Sequence, residues 1–197
     1  MSTQTLLTIV IALVVAWAVV GCRATRSGYE SAPYTVVLAE GNFEVRDYPA
    51  LTVAETPMAP DGPEGDSSFT RLFGFITGKN EDRRKIAMTT PVLMDGSASN
   101  RTMAFVMPAD LKPGSVPPPA DGAVTVRERP AGRYAVLRFH GARSAGQEKA
   151  ALAELEAWLA SHGRKAAGGP VYGYFDPPWT PPALRRNEVM LEVGPRP

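Results

Sequence analysis

Cysteine and histidine are nearly absent, with one Cys at position 22 and two His in 197 residues. That scarcity excludes a disulfide within the chain, a zinc finger and any Cys-rich cluster. Charge of one sign is lacking as well. Lys and Arg total 21 against 20 Asp and Glu, a net charge of +1 with no long run of either sign, so the chain offers nucleic acid or another polyanion no footprint. G-x-S-x-G, the P-loop, a G-x-G-x-x-G after a strand and H-E-x-x-H are all missing, which removes support for the commonest enzyme classes. The longest uncharged apolar run, Leu6 to Gly21, has sixteen residues. As a helix it reaches roughly 24 Å, short for a hydrocarbon core of about 30 Å.

That run therefore reads as a targeting or anchoring segment. It ends in Val19-Val20-Gly21-Cys22, and small residues before a lone cysteine resemble the lipobox of bacterial lipoproteins, in which Cys22 is lipidated and becomes the new N-terminus. The n-region MSTQT carries no Lys or Arg, unlike an ordinary secretory signal, so an uncleaved N-terminal anchor with an unmodified Cys22 is the alternative. Either reading expects the rest of the chain in the cell envelope, membrane-anchored on the periplasmic or outer-membrane side. Residues 23–33, small and polar, read as a tether, and residues 34–193 as the folded domain.

Within that domain Gly and Pro are plentiful, 37 of 197 residues over the whole chain, which expects many turns between short elements. Period-two runs predict strands at 34–38, 42–48, 51–56, 85–94, 102–107, 124–128, 133–140, 171–175 and 188–193. Two windows have helical spacing. Ser68 to Ile76 places Phe69, Leu72, Phe73 and Ile76 on one face, with Asp66 or Ser67 as its cap. Ala145 to His162 carries Leu152, Leu155, Trp158 and Leu159, with Gly163 at its C-cap.

An internal repeat sets the expected architecture. FEVRDYP at 43–49 matches VTVRERP at 124–130, and each is followed by a second strand, a helix and two more strands. Two β-β-α-β-β halves predict an α+β fold, a distorted and mostly antiparallel barrel flanked by two helices.

Three stretches carry more than fold. FITGKN at 75–80 leads to KIAMTTPV at 85–92, and FDPP at 175–178 leads to RNEV at 186–189. Together with FEVRDYP, and in this order, they resemble the SOUL haem-binding protein family. The resemblance implies a duplicated, distorted barrel and a tetrapyrrole ligand, haem or porphyrin, lying in a groove between the first helix and the closing loop. By that match Phe69, Leu72 and Phe73 would line one wall and Phe175 and Trp179 the other. Arg71, Arg185 or Arg186 would pair with the propionates. No His lies in either region, so axial ligation by nitrogen is not expected there. His140, ending a strand, and His162, ending the second helix, read as surface or capping residues. Arg186-Asn187-Glu188 also has a structural reading, with the guanidinium paired to a carboxylate and Asn187 bonding the backbone. Met88 to Pro91 reads as a packing and turn element.

The function these features favour is a non-enzymatic, membrane-tethered tetrapyrrole carrier or sensor with no metal ligand set and no nucleic-acid partner. The duplicated fold also resembles bacterial effector-binding domains of the multidrug-sensing type, so a binding module for another planar apolar small molecule stays open. So does an interaction protein of the cell envelope. An enzyme would have to rely on Glu188, Asp176 or Tyr172, for which the sequence shows no supporting constellation.

Overall fold

The computed structural model describes residues 28–59, 67–96 and 101–194; the N-terminal segment, Cys22 and Asp66 lie outside them. The described residues form eleven strands: β1 (Glu30–Ser31), β2 (Thr35–Glu40), β3 (Phe43–Tyr48), β4 (Leu51–Pro57), β5 (Thr89–Thr90), β6 (Val92–Asp95), β7 (Thr102–Val106), β8 (Thr125–Arg129), β9 (Gly132–Phe139), β10 (Val171–Tyr174) and β11 (Asn187–Glu192). Among the described residues two α-helices join them, α1 (Ser68–Ile76) and α2 (Ala145–Ser161). The main sheet runs β2-β3-β9-β11-β10-β6-β7-β4-β8, every pairing antiparallel, and curls into a distorted half-barrel. The fold is α+β, as the sequence pattern expects.

The sheet order shows what the repeat does. With the edge strand β2 set aside, reversing the remaining eight exchanges β3 with β8, β9 with β4, β11 with β7 and β10 with β6, so a pseudo-two-fold axis passes between β6 and β10. The first strand of each half has crossed to the other half: β3 pairs with β9, and β8 pairs with β4. The connections explain the crossing. Pro49-Ala50 joins β3 to β4 and Pro130-Ala131 joins β8 to β9. A two-residue hairpin needs positive φ in its loop, and proline is locked near −65°, so consecutive strands diverge instead of pairing.

Both helices cover the same face of this sheet. Leu72, Phe75 and Ile76 of α1, with Leu155, Trp158 and Leu159 of α2, pack on Val45, Ala54, Leu137, Val189 and their neighbours. α1 sits over β4 and β7 and α2 over β9 and β11, leaving the central pair β6 and β10 uncovered. The opposite face holds a smaller apolar cluster around Val53, Val136 and Met190. It also carries a buried ion network. Arg46, 0% exposed, donates to Glu188 at 2.7 and 2.9 Å and to Glu44 at 2.6 Å, and Arg186 donates to Glu188 at 2.6 and 2.9 Å. Burial would raise the Glu188 carboxyl, but Arg46 and Arg186 outweigh it and hold the group below its ordinary range.

Four local expectations change. The fold starts earlier than Tyr34: Glu30–Ser31 pairs in parallel with Thr89–Thr90 and Ala32 is buried, because this segment covers the smaller core. The single strand expected at 85–94 is broken. Residues 80–86 instead fold back to satisfy the open carbonyls at the end of α1, through Asn80 Nδ2 to Phe75 O (2.9 Å) and Ile86 N to Ile76 O (2.8 Å). Ser67 occupies the cap position of α1, but its hydroxyl accepts from Arg71 and caps no backbone N–H. The α1 stripe is also split, with Leu72 buried and Phe69 and Phe73 turned outward. The second helix keeps its expected ends: Ser144 Oγ accepts from Gln147 N at 3.2 Å, and Gly163 follows at φ +64°.

Candidate functional site

Because the helices stand over the outer strands of each half, the gap between them is roofless over the pseudo-two-fold axis. A groove of about 510 Å³ occupies it. Its floor is Val92 and Met94 of β6, Met103 of β7, Tyr174 of β10 and Asn187 of β11. Phe69 and Phe73 of α1 form one wall, their rings stacked 5.9 Å apart, and Phe69 also meets Phe105 edge-on at 5.4 Å. The other wall is the loop after β10, from Phe175 to Trp179. Met88 and Thr90 close one side, and Tyr29 enters from the first described residues.

α1 is apolar on more than one side, and this surplus makes the wall. A nine-residue helix needs one buried stripe, which Leu72, Phe75 and Ile76 supply. Phe69 and Phe73 are left 45% and 47% exposed, on the groove. Large exposed aromatics grouped on one surface mark an interaction site.

The loop wall is braced. Arg185 Nε donates to Thr180 O at 2.7 Å and its Nη2 donates to Pro178 O. Arg186 N donates to an Asp176 carboxylate oxygen at 2.6 Å, and the His140 ring donates from Nδ1 to Arg185 O at 2.8 Å. Behind the wall, the Arg186 guanidinium lies 4.1 Å from the centre of the Phe175 ring, so the buried network of Arg46 and Glu188 also backs the groove. Trp179 remains 74% exposed at the tip of this hydrogen-bonded loop.

At the start of α2 a second polar cluster borders the groove. Glu148 accepts from Arg101 at 2.7 Å, from Arg143 at 3.4 Å, and from the Tyr174 hydroxyl. Burial and the bond to Glu148 push the Tyr174 phenol well above its ordinary value, so the hydroxyl stays protonated near neutrality. Arg143 and Arg185 are the cations of the lining, and Asp176 is its acid. Among the described residues no group of three or more His, Cys, Asp or Glu side chains is arranged to hold a metal ion, and no helix is long and apolar enough to cross a membrane.

The residues singled out in the sequence fall into two sets. Phe69, Phe73, Phe175, Trp179 and Arg185 meet in the groove. Leu72 does not line it; 0% exposed, it belongs to the core beneath α1. Arg71 is turned away, bonded to Thr56 Oγ1 at 3.0 Å and Pro57 O at 2.5 Å. Arg186 lies behind Phe175, committed to Glu188. Asn187 stays in the groove floor, where its Nδ2 donates to Gly141 O at 3.0 Å. His162 packs at a tilt against Trp158, ring centres 4.3 Å apart, and approaches Glu40 at 3.2 Å, outside the groove lining. Sequence reasoning counts Tyr174 among the aromatics of the closing loop, and it lines the groove; it missed Arg143, Tyr29 and the three methionines of the lining. Met88 and Met94 stand in the KIAMTTPVLM stretch, so proximity to the motif was their one signal.

A family model described as SOUL heme-binding protein matches residues 29–192. Two proteins named Heme-binding protein 2 are similar in sequence. The mouse protein is 30% identical over 142 residues, covering 68% of this chain and 69% of that protein, and the human one is 31% identical over 163 residues, covering 77% and 78%. Among solved structures, the C-terminal domain of EcmrR superposes with a TM-score of 0.56 at 15% identity, covering 82% of this chain and 98% of that domain. A hydrolase from Listeria innocua superposes with a TM-score of 0.53 at 14% identity, covering 80% and 94%. At such identities these two likenesses concern the fold alone. Motifs, repeat and family match agree along the whole described domain, and the chain belongs to the SOUL heme-binding protein family.

Proposed function

We propose that this chain is a membrane-tethered tetrapyrrole-binding protein, a carrier or sensor and not an enzyme, with its ligand in the groove between α1 and the 175–185 loop. The observation that carries the reading is the groove itself: about 510 Å³, walled by Phe69, Phe73, Phe175 and Trp179, with Arg143 and Arg185 in its lining. That volume lies within the range of roughly 300–1,000 Å³ usual for small-molecule sites. A tetrapyrrole is a large apolar disc with carboxylates on one edge. The aromatic walls suit its faces, and the two guanidinium groups suit its propionates through charge-assisted hydrogen bonds. Relatives at 30–31% identity are named heme-binding proteins, which supports the same ligand class.

Burying roughly 300 Å² of ligand apolar surface supplies about 7 kcal/mol at ~25 cal/mol per Å², before the costs of association. Micromolar affinity then requires a groove already shaped for the ligand. The braced loop and the stacked pair on α1 meet that requirement. The lining contains no His or Cys, and its half-buried phenol, Tyr174, is bound to Glu148. Holding and releasing the ligand fits this lining better than catalysis on it.

Titration with haem, followed through the Soret band beside metal-free porphyrin and other planar apolar molecules, tests the proposal. Phe73→Ala and Trp179→Ala are each expected to weaken binding about tenfold, the loss of a large apolar contact. Absence of any porphyrin binding below ~100 μM would overturn it and leave the other planar ligands as the class to follow. The tether is placed at the N-terminus, through lipidated Cys22 or an uncleaved apolar helix, with the domain on the periplasmic or outer-membrane side. Intact-mass measurement on the membrane fraction distinguishes the two, since only the first yields a chain beginning at a modified Cys22.

A further inference from the structure

Resting on the tethered reading above, we infer that the mouth of the groove docks on the bilayer that holds the chain's own N-terminus, so that an apolar ligand passes between membrane and groove without crossing water. Six large hydrophobic side chains are exposed among the described residues, and four of them, Tyr29, Phe69, Phe73 and Trp179, belong to this one groove. They come from three separate parts of the chain, so their convergence is a product of the fold and not of local composition. Phe69 and Phe73 leave the same side of α1 one turn apart. Trp179 is presented by a loop whose backbone is fixed by Arg185 and by the Asp176 carboxylate, so its exposure is built in. Indole and phenol side chains are favoured at the level of lipid headgroups, where an apolar ring and a polar tip are both satisfied.

The path of the chain names the surface these rings meet. Tyr29 is part of the groove lining and follows Cys22 by seven residues. Seven residues span at most ~25 Å even when fully extended. A chain held in the bilayer at Leu6–Gly21, or by a lipid on Cys22, therefore keeps the groove mouth within that distance of the membrane. The described residues begin at Gly28, beside Tyr29 of the groove lining, so a short link to the membrane from that point favours turning this side, and not the opposite face, toward the bilayer. The inference depends on no charge attraction, in keeping with the near-neutral chain.

The test uses the full chain without any tetrapyrrole. Its three tryptophans are Trp17, Trp158 and Trp179. Trp17→Phe removes the one in the apolar run, and Trp158 is buried against Phe43. The Trp17→Phe protein is reconstituted into phosphatidylcholine vesicles with plain or acyl-brominated lipid, recovered by flotation and read by fluorescence. Brominated lipid is expected to quench this protein at least about twofold more than the Trp17→Phe/Trp179→Phe protein, with blue-shifted Trp179 emission, as befits an interfacial indole. Equal quenching of the two floated proteins would overturn docking and leave both the tether and the ligand reading standing. Failure to float would overturn docking and tether together. Shielding of Trp179 from acrylamide without lipid, with a dimer in sedimentation, would assign the aromatic mouth to a second copy and overturn the inference too. Tetrapyrrole binding is measured separately, so its failure would not be mistaken for any of these outcomes.

Discussion

Glu188→Gln is the sharpest probe of how the two halves are held together and how the groove wall is supported. Glu188 is 0% exposed and receives four charge-assisted hydrogen bonds of 2.6–2.9 Å, two from Arg46 and two from Arg186. Arg46 belongs to the crossed strand β3 and Glu188 to β11 of the other half, so the pair ties the exchange in place. The substitution keeps the shape, removes the charge, and turns an amide donor toward guanidinium donors. Arg46, itself fully buried, is left with Glu44 at 2.6 Å as its carboxylate partner. Breaking a buried ion pair in this way costs about 3–5 kcal/mol. For a domain of this size each kcal/mol moves Tm by about 2–4 °C, so the expected drop is about 6–20 °C. Replacing both partners, as Arg46→Met/Glu188→Leu, should recover most of it, because Arg186 can turn toward solvent while no charge stays buried alone.

The pH dependence has a definite sign. Glu188 is held below its ordinary value of 4.5, so its contribution is present above that pH and is lost as pH falls through the folded value. The stability gap between wild type and Glu188→Gln, read from urea midpoints by circular dichroism, should be constant from pH 7 to about 5. Below pH 4.5 it should narrow, by up to about 1.4 kcal/mol per pH unit. Equal midpoints at pH 7, or a gap that does not narrow between pH 4.5 and 3, would refute the reasoning. Since Arg186 also stacks on Phe175, the same variant should weaken porphyrin binding at pH 7 even while folded.

Other outcomes follow from the same geometry. Residues 28–110 and 111–194 expressed separately should lack a cooperative thermal transition, since each lacks the strand that pairs with its outer edge, and should regain one when mixed; a cooperative melt of either alone would contradict the exchange. Arg185→Ala should weaken porphyrin binding about as much as Trp179→Ala by freeing the loop, and Arg185→Lys should not restore it, because a single ammonium cannot replace a fork reaching two carbonyls; full recovery with Lys would mean that charge alone matters. At saturating haem, His140→Ala and His162→Ala should leave the position and shape of the ferric Soret band unchanged, as neither ring lines the groove, even though His140→Ala removes a brace of the loop and weakens binding; a shifted band in either would disprove the proposed ligand position.

Much of this protein is legible along the chain. Strand and helix positions follow from period-two and helical spacing, and both helices and all but the short strands fall where those periods place them, because amphipathic patterning and turn chemistry act over a few residues. The repeat of FEVRDYP and VTVRERP, with the KIAMTTPV and RNEV motifs, carries the duplication and the family. Four groove residues, Phe69, Phe73, Phe175 and Trp179, stand out as surplus aromatics in a short helix and a proline-rich loop, and the family resemblance places them, with Arg185, about one groove. Tertiary structure alone decided the rest. Which strand crosses to which half depends on pairing between residues far apart, as Arg46 with Glu188 shows. Leu72 and Phe73 are neighbours of like hydropathy, yet one enters the core and the other the groove, because only the position of α1 over β4 and β7 sets which side is covered. Arg185 and Arg71 look equivalent in sequence, but a guanidinium takes its role from the carbonyls and hydroxyls that the fold brings within reach. Tyr29 and Arg143 joined the site for the same reason: a groove on a pseudo-symmetry axis collects side chains from every element that borders it, and no local pattern records which those are.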